Sequence, residues 1–244
     1  MIKVILNGAA GRMGKEIVAR LEGNNDLSLA AKVDKLGGDS GCLTSLSEYS
    51  GDADIIIDFS HHSATNELID YAVKKNIPLL IATTGHTEDE MNCIKKASEK
   101  IAVFHSANMS VGVALLAELA KKTAVSMPDA DIEIVETHHN RKLDSPSGTA
   151  LMLANALTAV REKTRLIMGR SGNGKREKED IGISSVRRGN IVGIHEVIIS
   201  TDNETLTLKH EAHSRSLFAD GTIAAAKFLA GKPAGLYCMN DMVK

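Results

Sequence analysis

The first hundred residues alternate between short apolar runs and segments with apolar positions at helical spacing. Residues 3–7 (KVILN) form an apolar run, glycines follow, and 12–21 carry Met13, Ile17, Val18 and Leu21 on one helical face. The alternation continues with strands predicted at 27–34, 53–59, 77–84 and 101–107, and helices at 62–75 and 88–100. Strands that alternate with helices predict a doubly wound parallel sheet, the α/β Rossmann class. After an apolar helix at 111–127 the pattern changes. Residues 131–139 read as a strand, 151–160 as a helix, and 190–201 and 204–213 as two consecutive strands of a hairpin, before a closing helix at 217–231. Strands that follow one another directly predict a second, α+β domain with a mixed sheet. Its alternating Val197, Ile199, Leu206 and Leu208 predict an apolar face that a helix or another subunit must cover.

The glycines after the first strand sit where a dinucleotide fold needs them. Gly8 makes the tight turn, Gly11 admits a pyrophosphate to the helix start, and Gly14 lets the helix pack on the strand. Asp34 ends the second strand about 20 residues later, placed to accept hydrogen bonds from ribose hydroxyls, and the adjacent Lys35 can attract a 2′-phosphate. Ligands of such sheets lie beyond the strand C-termini, so 60–64, 83–85 and 106–112 are expected to face the cofactor. His61 and His62 are read as loop residues, since neither has a charged neighbour in sequence.

Residues 136–150, ETHHNRKLDSPSGTA, place two histidines, a lysine and two carboxylates between a strand and a helix N-terminus. Free N–H groups and the positive dipole end there favour a carboxylate or phosphate, and Gly148 permits close approach. Lys142 and the histidines supply charge and protons. Glu136 and His138 share a strand face while His139 points the other way, which makes a shared metal the weaker reading.

Composition narrows the partners. With 244 residues and 43% apolar content the chain can form one large core or two modest ones. Twenty-nine basic against 31 acidic residues, only four Phe and three Tyr, and no Trp argue against nucleic acid and for small molecules. Three scattered cysteines, no apolar run of membrane length and no secretion signal predict a reducing, cytoplasmic setting without membrane insertion. Residues 161–190 hold nine basic and four acidic side chains, and two readings stand: a solvated mobile loop, or a loop that closes over an anionic ligand.

GAAGRMG at 8–14, TTG at 83–85, SANMSVG at 106–112 and EIVETHHNRKLDSPSGTA at 133–150 together closely resemble the 4-hydroxy-tetrahydrodipicolinate reductase (dihydrodipicolinate reductase) family. The last segment follows the family pattern E-x-x-E-x-H-x-x-x-K-x-D-x-P-S-G-T-A, and the resemblance covers essentially the whole chain. It implies a dinucleotide-binding domain of 1–108 and 217–244, a substrate-binding and oligomerisation domain of 109–216, and a homotetramer. It also implies NADH- or NADPH-dependent reduction of a cyclic unsaturated dicarboxylate in lysine and diaminopimelate biosynthesis. By position, His138 and Lys142 match the family's proton-handling groups, and His139, Gly148 and Thr149 its substrate-carboxylate contacts. Gly8, Ala9, Ala10, Gly11, Arg12, Met13, Asp34, Lys35, Ala82, Thr83, Thr84, Ser106, Ala107, Asn108 and Met109 are the expected cofactor contacts. Ala82 stands where the family usually has glycine, and His62 where proline is common. The alternative is a redox-inactive dinucleotide-binding regulator with the same fold.

Overall fold

The computed structural model describes residues 1–39 and 41–244. They divide into two compact units, Met1–Ser110 with Ser216–Met242, and Val111–Arg215 with Val243–Lys244.

In the first unit, β1 (Ile2–Asn7), β2 (Leu27–Val33), β3 (Cys42–Leu43), β4 (Ile55–Asp58), β5 (Leu79–Ile81), β6 (Ala102–His105) and β12 (Gly235–Tyr237) form one sheet in the order β12-β6-β5-β4-β1-β2-β3. Every pairing is parallel. Strand order reverses direction at β1, the switch point beyond which doubly wound sheets bind their ligands. Strands covered on both faces must be apolar throughout, which explains why Val4 to Leu6 and Ile55 to Ile57 are completely buried. The connecting helices are α1 (Arg12–Leu21), α2 (Thr65–Lys75) and α3 (Glu88–Ser98). Thr87 and Glu90 form a reciprocal capping box at the start of α3, and Asn76 ends α2 in the left-handed conformation. Helix α6 (Ser216–Leu229) packs beside α1, with Arg20 paired to Asp220 at 2.6 Å and Lys227 paired to Asp26. The chain does not close on this helix. It adds β12 as the edge strand next to β6.

The second unit has a five-stranded mixed sheet, β11-β10-β7-β9-β8, built from β7 (Asp131–His138), β8 (Arg165–Met168), β9 (Asp180–Arg187), β10 (Gly193–Ser200) and β11 (Thr205–Ala212). Strands β7, β9 and β8 run parallel, while β10 is antiparallel to both neighbours. Helices α4 (Val111–Ser126) and α5 (Gly148–Thr158) cover one face. Alanines at 117, 120, 124, 150 and 154 let the helices approach closely, and leucines at 116, 153 and 157 fill the layer over Ile132, Ile134, Ile181, Ile183, Val197 and Ile199.

Helices supply the cover that the apolar face of β10 requires. Val197 and Ile199 are covered by the unit's own helices, Leu208 packs at the cluster edge, and only Leu206, 45% exposed, remains open. A partner subunit is therefore not needed for that row. Exposed apolar side chains also line up at Val111, Leu115 and Leu119 along one face of α4. Residues 161–190 are not one continuous loop, since they contain β8 and β9 with an irregular connection at 169–179 between them. Several of their cations are committed internally. Arg165 and Arg170 pair with Asp180, Arg176 reaches Asp131 and Glu133, and Arg161 donates to the carbonyls of Met127, Pro128 and Ala130.

Candidate active site

The glycine turn of the first unit fits a dinucleotide phosphate. Gly8 has φ +80°, and a Cβ there would lie 2.6 Å from the Phe59 carbonyl. Gly14 has no room at all. Its Cβ would stand 2.3 Å from the Gly8 oxygen and 2.6 Å from the Ala9 oxygen, so α1 rests directly on the turn. Gly11 caps α1 without a side-chain hydrogen bond and the first turn carries no acidic residue, which leaves N–H groups and dipole available to an anion. Asp34 closes the other side. Its carboxylate accepts from the Ala10 and Leu36 N–H groups at 3.0 Å each, fixing the loop around the expected ribose position. Lys35 is exposed. Lys15 and Lys32 line a cavity of about 350 Å³ next to Ala9 and Ala10, so Lys35 is not the sole cation near the turn, although Lys32 already pairs with Asp39 at 2.7 Å.

The loops after β4, β5 and β6 hold the remaining expected cofactor contacts, and a carboxylate missed by sequence reasoning organises two of them. Asp58, 1% exposed, accepts from Asn7 at 2.8 Å, from the Ser60 hydroxyl at 2.6 Å and from the Thr83 hydroxyl at 2.7 Å, while its carbonyl accepts from the Ala82 N–H at 3.0 Å. Ala82 is buried. Ser106 donates to the Asn108 carbonyl at 2.7 Å and Asn108 accepts from the Ser110 N–H at 2.9 Å, which makes 106–110 a self-bonded turn. Met109 is buried. His62 has a charged partner after all, Glu90 at 3.0 Å, 28 residues away; His61 caps the short helix that follows it.

In the second unit, β7 delivers Glu136 and His138 to the same face, as strand periodicity requires. Directly opposite Glu136 stand Ser185 on β9 and His195 on β10, and opposite His138 stands Arg187. His138 Nδ1 lies 2.5 Å from Glu136 Oε2. Arg187 donates to both carboxylate oxygens, at 2.8 and 2.7 Å, and the Ser147 N–H adds a bond at 3.1 Å. Burial drives the Glu136 pKa upward, but the hydrogen bonds of Arg187, Ser185 and His138 outweigh it and hold the group at about 2. Glu136 is thus ionised across the physiological range. Burial, reinforced by the charge of His138, pushes His195 down to about 4, so its ring is neutral where it meets the Ser147 hydroxyl at 3.1 Å.

Beyond His138 the chain bends, with the His139 N–H bonded to the Ile191 carbonyl at 2.8 Å and the Arg188 N–H to the His138 carbonyl at 2.9 Å. Lys142 pairs with Asp144 at 2.8 Å and remains partly open to solvent. Burial and the charges of Arg141, Arg215, His138 and Lys142 lower the pKa of His139, whose Nδ1 is buried without a partner. Ser147 then caps α5, accepting from the Ala150 N–H at 3.2 Å, and nothing lies within 4 Å of where a Gly148 Cβ would stand. His138, His139, Lys142, Gly148 and Thr149 therefore gather at one strand end and one helix start. Sequence reasoning missed Arg187 and His195 as their supports; the pairing register of β7 with β9 and β10 is the signal that links them.

Among the described residues, no helix is long and apolar enough to cross a membrane. Comparison with known proteins accounts for the whole chain. Residues 2–109 match the family model for the dihydrodipicolinate reductase N-terminus, and residues 112–243 the model for its C-terminus. The chain is 44% identical to the 4-hydroxy-tetrahydrodipicolinate reductase of Caldanaerobacter subterraneus subsp. tengcongensis, over 100% of this chain and 99% of that one. It is 42% identical to that of Clostridium novyi, over 100% and 99%, and 42% identical to that of Rickettsia rickettsii, over all of both chains. Its fold is similar to the solved structure of dipicolinate-bound dihydrodipicolinate reductase from Paenisporosarcina sp. TG-14, with TM-score 0.77, 24% identity, and coverage of 98% of this chain and 97% of that chain. Two family models that together span nearly all of the sequence, and relatives above two-fifths identity along its full length, show that the chain belongs to the dihydrodipicolinate reductase family.

Proposed function

We propose that the protein reduces the dehydrated form of 4-hydroxy-tetrahydrodipicolinate to tetrahydrodipicolinate with NADH or NADPH, a step of lysine and diaminopimelate biosynthesis carried out in the cytoplasm. The observation that carries this reading is the cluster of His138, His139, Lys142 and the Gly148 helix start at the end of β7, a cationic cradle with a histidine backed by a buried carboxylate. When bound, the dinucleotide supplies a hydride. Residues 1–108 and 217–244 hold it, with Gly8, Ala9, Ala10, Gly11, Arg12 and Met13 around the pyrophosphate, and Asp34 and Lys35 at the adenosine ribose. Residues Ala82, Thr83 and Thr84 and Ser106, Ala107, Asn108 and Met109 line the rest of that site.

Residues 109–216 bind the ring. The Gly148 and Thr149 start of α5 and His139 hold one substrate carboxylate through helix-end N–H groups and dipole. Reduction of a conjugated, imine-like ring leaves electron density that a proton must quench, and His138 and Lys142 supply and stabilise that proton. Lys142 also steadies the dianion. A planar aromatic dicarboxylate such as dipicolinate, which the Paenisporosarcina relative binds, would occupy the same cradle. The assembly is a homotetramer, supported by the exposed Val111, Leu115 and Leu119 on α4 and the edge strand β11.

The test is oxidation of NADH and NADPH, followed by absorbance, with freshly generated product of the preceding synthase reaction. Turnover with either cofactor is expected. Dinucleotide binding without turnover would instead support a redox-inactive regulator.

A further inference from the structure

A carboxylate with no accessible surface lies at the centre of the β7 strand end. Glu136 meets His138, both Nη atoms of Arg187 and the Ser147 N–H, with the Ser185 hydroxyl as a further donor. An ionised carboxylate only accepts hydrogen bonds, so Nδ1 of His138 must carry a proton at this contact. A neutral imidazole has one N–H. His138 Nε2 is then the atom left to take up or release a proton. Gly193 keeps a side chain away from it, since a Cβ there would stand 3.1 Å from Nε2. The same carboxylate reaches the anion cradle, because its Oε1 receives the N–H of Ser147, the cap of α5.

We propose that Glu136 is a positioning residue that, clamped by Arg187, fixes the Nδ1–H tautomer of His138, presents Nε2 to the reacting ring, and anchors the start of α5 beneath the substrate carboxylate. This rests on the acid–base role given to His138 above. Glu136 touches no substrate itself. Its action is to keep one proton on the inner nitrogen, and losing such control of a catalytic histidine's tautomer can cost orders of magnitude in turnover.

The experiment combines NMR of isotope-labelled histidine with kinetics of three variants. In the native protein at neutral pH, the His138 signal, assigned by its loss in His138→Asn, is expected to report Nδ1 protonated. Glu136→Gln preserves volume but offers an amide donor, so His138 shifts toward the Nε2–H form and kcat falls about 100-fold or more, with NADH affinity within about twofold of native. Arg187→Lys, which keeps the charge but not the fork, is expected to lose about 10-fold. A merely structural role would not move the tautomer. An Nε2–H signal in the native protein, or Glu136→Gln turnover within about threefold of native, overturns the proposal; if Glu136→Gln does not fold, the native tautomer alone decides. Native turnover in His138→Asn would overturn the reading on which it rests, whereas an inactive His138→Asn with an Nε2–H native signal overturns only the role of Glu136.

Discussion

Replacing Gly14 with alanine tests the dinucleotide turn where its geometry is tightest. The new Cβ would stand 2.3 Å from the Gly8 oxygen, 2.6 Å from the Ala9 oxygen and 2.7 Å from the Ala9 carbonyl carbon, all backbone atoms. An ordinary contact needs about 1 Å more than the first of these, so the N-terminal turn of α1 must move away from the glycine loop. Alanine gains about 1 kcal/mol in helix propensity over glycine. Overpacking against backbone costs about 1–3 kcal/mol, so the net effect on stability is a loss of up to about 2 kcal/mol. Binding suffers more directly, because the same displacement carries the α1 N–H groups away from the loop that must hold the pyrophosphate with them. We expect NADH affinity to fall about 10-fold or more by fluorescence titration, with a smaller drop in the urea midpoint. Gly174→Ala is the control, since nothing lies within 4 Å of its Cβ position. Native NADH affinity in Gly14→Ala would refute the argument that this contact sets the turn.

Acid stability should follow His195, whose pKa lies at about 4 when folded against 6.5 when unfolded. Between those values the unfolded chain binds a proton the folded chain refuses, so stability rises with pH through the window and is complete above it, a gain of about 3 kcal/mol. His195→Asn should flatten the urea midpoint over this range, and an unchanged slope would show that the ring is not the cause. Glu136 adds its own loss as pH falls below its unfolded value of 4.5 toward about 2. Lys35→Ala should weaken NADPH roughly fivefold more than NADH, the scale of one exposed charge-assisted contact, and equal losses would show that Lys35 does not read the 2′ position. Light scattering at micromolar concentration should give four subunits; a monomeric mass would remove the tetramer.

Much of the first unit was legible in sequence because parallel strands are buried on both faces and so appear as uninterrupted apolar runs, as in 3–7 and 53–59. The site cluster was legible for a similar local reason: its groups lie within fifteen residues, 136–150. Strands β8 and β9 were not, because their flanks carry Arg165, Arg170 and Asp180, whose charges satisfy one another only after folding. Edge strand β12 has three residues, too few for any period to show. The supports of the site were hidden by distance. Arg187 lies 51 residues from Glu136, and Asp58 the same distance from Asn7; only register brings them together. His62 was read without its partner for the same reason.

The most direct test of the account is the turnover of Lys142→Met set beside its NADH affinity. Methionine keeps the length of the side chain and removes the charge that pairs with Asp144 at 2.8 Å. The account predicts turnover lower by roughly 100- to 1000-fold, the scale for losing one preorganised stabilising donor, with NADH binding nearly unchanged. Near-native turnover would contradict it, and loss of NADH binding instead would move the role of Lys142 from the substrate to the cofactor.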